Sequence, residues 1–299
     1  MEILGLRRER RLNKIYLEWG TKMFVTTDDG VQLFVERRGK GMPCLYIHGG
    51  PGYWSKSFSE LAGDLLENQF EMIYLDQRGC GRSSKESKDY SLKRLTKDIE
   101  KIRVALDLEK FYILAHSFGG ILAVNYAYNF NNNILGLLLT NVTLNMNKSL
   151  YHQYRKGLEM LNYELPTNKN IDNMMGKFQT VQMELLEKDM YFSLQFRDVN
   201  NKINMDEIDE DFSSIPEFQE YVFSSSDYFQ DFTLVTKEIK QPVLILASEY
   251  DHAVGPKHHY DFEFPNFILR ILNSGHHPYI ENPLDFQRAI RDFLKEYNK

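Results

Sequence analysis

Cysteine is scarce in this sequence: Cys44 and Cys80 are the only two among 299 residues. A disulfide framework is therefore not implied, and a reduced compartment is the simpler expectation. Long apolar runs are missing as well. No stretch approaches the roughly 18 to 20 apolar residues of a membrane span, and Met1 to Val25 holds no uninterrupted apolar segment of signal-peptide length. Positive charge is in deficit, with 36 Lys and Arg against 42 Asp and Glu and a net charge of −6. No long basic tract offsets this, which argues against nucleic acid as a partner. The one basic cluster, Arg7, Arg8, Arg10 and Arg11, is interrupted by Glu9 and reads as a solvated end segment. Asn141-Val142-Thr143 and Asn147-Lys148-Ser149 fit the glycosylation acceptor pattern, but without a secretion signal they read as chance. Internal repeats and low-complexity tracts are absent. The expectation is a cytoplasmic globular protein with no membrane partner.

What the sequence does contain is an alternation. Short runs that are apolar on both faces recur at Cys44 to Ile47, Met72 to Leu75, Phe111 to Leu114, Ile134 to Leu139, Val243 to Leu246 and Phe267 to Leu272. Such runs suit strands buried in a parallel sheet with helices on both sides. Helix-like stretches lie between them, at Ser57 to Glu67, Ser91 to Leu106, Gly119 to Tyr128 and Leu284 to Tyr297. In the second, Leu92, Leu95, Ile99, Ile102 and Leu106 fall at spacings of three and four, the pattern of an amphipathic helix. Strand and helix in alternation predict a doubly wound α/β sheet. Asp28-Asp29-Gly30, between two strand-like runs, predicts an entering hairpin.

The alternation breaks between Met146 and Lys237. That region carries an acidic patch (Asp206, Glu207, Asp209, Glu210, Asp211), many aromatics and no strand pattern. At about 90 residues it is too long for a plain loop. The predicted organisation is a core formed by residues 1–145 and 238–299, with a helical cap, or lid, at 146–237 inserted into it.

Candidate chemistry begins at Ala115-His116-Ser117-Phe118-Gly119-Gly120. This segment follows a predicted buried strand and opens a predicted helix, the setting of a nucleophile elbow. Ala115 stands where that motif has glycine. Upstream, His48-Gly49-Gly50-Pro51-Gly52 directly follows another strand. Acyl transfer needs donors aimed at a developing oxyanion, and the N–H groups of Phe118 and Gly50 are the candidates. Chain order then asks for an acid after a late strand and a histidine after the last one. Glu249 and Asp251 follow Val243 to Ser248, and His276 and His277 follow Phe267 to Leu272.

Together, His48 to Gly52, Asp76-Gln77-Arg78-Gly79-Cys80-Gly81-Arg82-Ser83 and the Ser117 elbow resemble the α/β-hydrolase superfamily. More narrowly they resemble the prolyl iminopeptidases, over about Thr21 to Asn145 and Gln241 to the C-terminus. The resemblance implies the α/β-hydrolase fold, places the acid at Asp251 with Glu249 in reserve, and matches Gly275 to Pro283 to the loop that carries the catalytic histidine. That loop indicates His276, with His277 as the alternative. A neutral imidazole would activate Ser117, and Asp251 would orient the ring. The resemblance further implies release of an N-terminal residue from small peptides, with lid glutamates binding the free ammonium. Glu184, Glu187, Glu217 and Glu220 are the candidates. An esterase or lactonase would use the same triad on small esters, and a ligand-binding sensor would keep the pocket alone.

The remaining conspicuous residues receive structural readings. His48 is expected to order its loop, and His116 to point into the fold. Asp76 and Arg78 are expected to stabilise theirs through an ion pair or backbone contacts, and Arg82 and Ser83 read as structural. His252, His258 and His259 lack the spacing of a metal site, so no metal or other cofactor is expected. Cys80 has no base partner.

Overall fold

The computed structural model describes residues 20–167, 173–213 and 215–297; the Arg7 to Arg11 cluster lies outside them. Eight strands form one sheet: β1 (Thr21–Thr26), β2 (Gln32–Gly39), β3 (Met42–Ile47), β4 (Phe70–Leu75), β5 (Phe111–His116), β6 (Ile134–Thr140), β7 (Val243–Ser248) and β8 (Phe267–Leu272). Their order across the sheet is β1-β2-β4-β3-β5-β6-β7-β8. The hairpin β1–β2 joins β4 antiparallel, and every pairing from β4 to β8 is parallel.

The alternation of side chains along each strand explains the two-sided core. On one face Leu45, Ile47, Ile113, Ala115, Leu137 and Leu139 meet Leu95, Ile99 and Ile102 of α2 (Leu92–Ala105) and the buried side of α3 (Gly119–Asn129). On the other, Tyr46, Tyr112, Leu114, Leu138 and Leu244 meet α1 (Lys56–Leu66) and the C-terminal helix. Every residue of β5 and β7 is buried. Each such Leu or Ile contributes roughly 1.5 to 3 kcal/mol through burial, so these strands form a stiff base for whatever their ends carry. Helix α2 starts where Ser91 Oγ accepts the Arg94 N–H at 3.2 Å, a side-chain cap that satisfies an otherwise orphaned donor.

Between β6 and β7 the chain leaves the sheet. It forms α4 (Met146–Met160), α5 (Met174–Glu187), α6 (Ile203–Asp209) and α7 (Pro216–Ser224) with intervening 3-10 turns, and among the described residues it has no strand there. This insertion has a small core of its own around Leu158, Val181, Leu185 and Leu194. After β8 come α8 (Pro278–Glu281) and α9 (Pro283–Tyr297), the latter buried through Phe286, Ile290 and Phe293. Among the described residues no helix is long and apolar enough to cross a membrane.

The loops at the carboxyl ends of β3 and β4 are held by buried polar groups. Asp76 and Arg78 do not pair with each other. Asp76 accepts the Ser55 N–H (2.8 Å) and hydroxyl (2.7 Å) and the Arg82 Nε–H (2.7 Å), while fully buried Arg78 donates to Asp98 at 2.6 and 2.8 Å and to Asp29 at 2.8 Å. Asp98 lies one helical turn beyond Arg94, which also donates to it, so α2 is fastened to the loop by charge as well as by packing. His48 spans the two loops: its Nε2 accepts the Gln77 N–H at 3.0 Å and its Nδ1 donates to Gly49 O at 2.8 Å. Complete burial pushes its pKa down to about 4, so the ring stays neutral.

These contacts can be tested through stability. Arg78→Met leaves the Asp98 carboxylate buried without its main cation and should lower the unfolding free energy by about 3 to 5 kcal/mol, read from urea midpoints. A loss under about 1 kcal/mol would contradict the assigned weight of the pair. For His48 the unfolded ring takes up its proton near 6.5 and the folded ring only near 4. The unfolded state therefore binds more protons in that window, and stability declines as pH falls through it. The rate is about 1.4 kcal/mol per pH unit for one such histidine. His48→Gln should flatten the measured slope between about pH 6.5 and 5, and an unchanged slope would refute the assignment.

Candidate active site

Ser117 occupies the turn from β5 into α3 with φ of 55°, a left-handed conformation that costs a non-glycine residue free energy and gathers at functional sites. The surrounding main chain enforces it. Ser117 N–H donates to Thr140 O at 3.2 Å, and Ser117 O accepts from Gly120 and Thr143 at 3.1 Å each. The glycine loop after β3 presses against this turn: a Cβ on Gly49 would stand 2.8 Å from the Ser117 Cβ. No residue other than glycine fits there without moving the serine. Among the described residues neither the Phe118 nor the Gly50 N–H meets an acceptor, and both residues line the cavity that Ser117 faces. Two free amides beside a hydroxyl are the components of an oxyanion site.

Asp251 and His276 are brought together from separate loops. Strand β7 ends at Ser248, and the following turn buries Asp251 while Glu249 stays exposed. The strand alternation that would aim both acids the same way has therefore already stopped. Asp251 Oδ1 accepts the N–H groups of Ala253 (2.9 Å) and Val254 (3.2 Å), and Oδ2 faces His276 Nδ1 at 3.0 Å. Burial raises the Asp251 carboxyl, but His276, His258 and the Val254 N–H outweigh it, and the net direction is down. With the carboxylate ionised, Nδ1 is the ring nitrogen that donates to it, and His276 lines the same cavity as Ser117. His277 also lines this cavity, yet its ring is occupied by Tyr279 Oη (2.9 Å) and Gln195 Oε1 (3.3 Å).

His116 is buried and its Nε2 donates to His276 O at 2.9 Å; burial pushes its pKa down to about 3. The same carbonyl accepts from Asn141 Nδ2 at 3.1 Å, which also reaches Gly275 O (3.1 Å) and Ser248 Oγ (2.9 Å). Asn141, which reads in sequence only as a chance glycosylation acceptor, thus ties the end of β6 to the acid and histidine loops. Its one sequence signal is a polar residue just after a strand whose residues are apolar up to Leu139. Cys80 is buried, which holds its thiol well above its usual range and makes it a poor nucleophile. Among the described residues no three His, Cys, Asp or Glu side chains are grouped as a metal site requires.

The cavity encloses about 740 Å³ at the carboxyl ends of β3 and β5, where β4 flanks β3 on one side and β5 on the other, the switch point at which open α/β sheets bind ligands. Residues of the insertion between β6 and β7 line it as well. Ser149 and Gln153 of α4 donate to Val254 O (3.2 Å) and Ala253 O (2.6 Å) of the acid loop. Of the four glutamates proposed from sequence, only Glu220 lines the cavity. Glu184 is engaged outside it by Tyr163 Oη at 2.8 Å and by Lys188, and Glu187 and Glu217 do not reach it. Two aspartates from the acidic patch do: Asp206, paired with Lys202, and Asp209, which accepts Tyr53 Oη–H (2.5 Å), Trp54 Nε1–H (2.8 Å) and Ser57 Oγ–H (2.6 Å). Among the described residues Asp209 and Glu220 have no cation at ion-pair distance.

The α/β hydrolase fold family matches residues 43–283. The proline iminopeptidase of Heyndrickxia coagulans is 26% identical over 273 residues, spanning 87% of this chain and 92% of that protein. Among solved structures, a proline iminopeptidase-related protein from Thermus thermophilus superposes with a TM-score of 0.79 at 22% identity, covering 93% of this chain and 98% of the other. A thermophilic esterase from Thermogutta terrifontis superposes at 0.69 with 20% identity, covering 94% and 99%. The sheet order, the elbow and the matched span lead to one conclusion: this chain belongs to the α/β-hydrolase fold family of enzymes and resembles the proline iminopeptidases within it.

Proposed function

We propose that the protein is a serine hydrolase that works through Ser117, His276 and Asp251 and releases the N-terminal residue of small peptides. One observation carries the chemistry: Ser117, Phe118 and Gly50 with their unengaged amides, and His276, which is backed by the buried Asp251, line a single cavity. In this reading the Ser117 Oγ attacks the substrate carbonyl while His276 Nε2 takes its proton, and Asp251 stabilises the resulting imidazolium. The carbonyl oxygen gains negative charge and is met by the Phe118 and Gly50 N–H groups. Collapse of the tetrahedral species breaks the bond to the leaving group, which receives the proton from His276, and an acyl-serine remains. A water deprotonated by His276 then releases the acyl group and restores the serine hydroxyl.

The same reading treats residues 146–237 as a cap that closes the cavity and selects the substrate. An ammonium brought out of water without a partner is prohibitively costly, so an aminopeptidase needs unpaired carboxylates on its wall. Asp209 meets that need: three neutral donors fix its position and no cation neutralises it among the described residues. Glu220 is the second such group. Similarity to the Heyndrickxia proline iminopeptidase supports this substrate class. The apolar part of the wall, including Leu150, Phe178, Phe192, Phe196 and Phe223, favours a second reading in which small esters are cleaved.

Proline-p-nitroanilide and p-nitrophenyl butyrate separate the two: cleavage of the ester alone would remove the peptidase reading. Ser117→Ala should lower kcat on the order of 10⁶-fold on either substrate, and retained turnover would eliminate the triad. Asp209→Asn should raise KM for free-amino substrates roughly tenfold or more while ester hydrolysis stays as it was. Equal losses on both substrates would instead make Asp209 a structural residue.

A further inference from the structure

The insertion does more than line the cavity, because one of its segments also touches the main chain of both loops that carry His276 and Asp251. Residues 194–198 pass between those loops. Leu194 O accepts the N–H of His252, the neighbour of Asp251, at 3.0 Å, and the next carbonyl, Gln195 O, accepts the N–H of His276 itself. Consecutive Cα atoms stand about 3.8 Å apart, so two adjacent carbonyls of one segment fix how far the acid loop can lie from the histidine loop. Phe196 then stacks on His277 with ring centroids 4.8 Å apart.

The far end of this strap is fastened by a carboxylate that the triad does not use. Glu281 Oε2 accepts the N–H of Gly275 at 2.6 Å and of Arg197 at 3.3 Å, and Oε1 accepts the N–H of Asp198 at 2.9 Å and an Nδ2–H of Asn201 at 3.4 Å. Among the described residues no Lys or Arg lies at ion-pair distance, so its charge is met entirely by these donors. Charge-assisted bonds of this kind are roughly twice as strong as neutral ones. The fit is close: a Cβ on Gly275 would stand 2.4 Å from Gln195 O and 2.8 Å from Arg197 N. One side chain therefore fastens the residue preceding His276 to the strap that receives His276.

We propose that Glu281 is a positioning residue, which locks the 194–198 strap against the His276 loop and thereby sets the geometry of the His276–Asp251 pair. The proposal rests on the triad reading above. A reacting group displaced by about 1 Å can lose 10²-fold in rate, so an effect on turnover is expected although Glu281 meets no substrate.

The test compares full-length wild-type protein with Glu281→Gln, which keeps the side-chain volume but removes the charge and one acceptor, and Gly275→Ala, which pushes the strap away with Glu281 intact. The readouts are kcat and KM on p-nitrophenyl butyrate, the rate at which a fluorophosphonate labels Ser117, and the thermal midpoint. Both variants should lose roughly ten- to a hundredfold in kcat and in labelling rate, with KM little changed and the midpoint lowered but still above the assay temperature. Normal kcat and labelling in the folded variants would overturn the proposal, as would a rise in KM with kcat intact. If Glu281→Gln does not fold, Gly275→Ala decides alone. Failure of the wild-type protein to be labelled at Ser117 overturns the triad itself, a result distinct from normally labelled variants.

Discussion

Everything at the open edge of the sheet depends on how closely two turns can approach. Strands β3 and β5 are parallel neighbours, with Leu45 opposite Ile113 and Ile47 opposite Ala115, and neighbouring strands lie about 4.8 Å apart. Their turns must share that narrow space, and they do so only because Gly49 has no side chain where the Ser117 Cβ lies. The approach brings Ser117, Phe118 and Gly50 to the wall of one cavity. The left-handed backbone of Ser117 is unfavourable by itself. It persists because β5 below it is buried along its whole length and α3 behind it packs into the same core.

Polar contacts hold the surrounding loops, for a reason rooted in their chemistry. A loop that folds back over a sheet edge buries main-chain donors and acceptors that no ladder can satisfy. Asp76, His48 and Asn141 supply what is missing, each bridging segments distant in sequence. Neutral His48 and His116 do so without placing a charge beside the site. The insertion extends the same logic, since α4 and the 194–198 strap bond to the acid loop mainly through main-chain carbonyls.

Much of this is legible in the sequence, and the reasons differ by element. The buried runs of β3 to β7 and the three-four spacing of α2 are legible signals, and α2 begins and ends within a residue of its expected bounds. Phe267 to Leu272, by contrast, reads as a buried run but is the edge strand β8, with Phe267 and Ile271 exposed. The elbow and the glycine loop are legible because their chemistry demands particular residues at fixed places along the chain. The insertion is not. Short helices with mixed faces do not declare which side meets a cavity, so Glu184, Glu187 and Glu217 read as wall residues in sequence although only Glu220 is one. Asp209 stands in plain view within an acidic patch, but its partners Tyr53, Trp54 and Ser57 lie more than 150 positions away. Glu249 and Asp251 cannot be ranked by alternation, because alternation ends with the strand.

Gln195 illustrates a benefit of tying a site together through carbonyl oxygens. Its main chain receives His276, while its side chain borders the cavity and contacts His277. Every amino acid offers the same carbonyl, so alignment of the imidazole survives exchange of that side chain. The main-chain anchor and the cavity lining are thus supplied by different atoms of a single position, so the lining side chain can change without the scaffold being rebuilt.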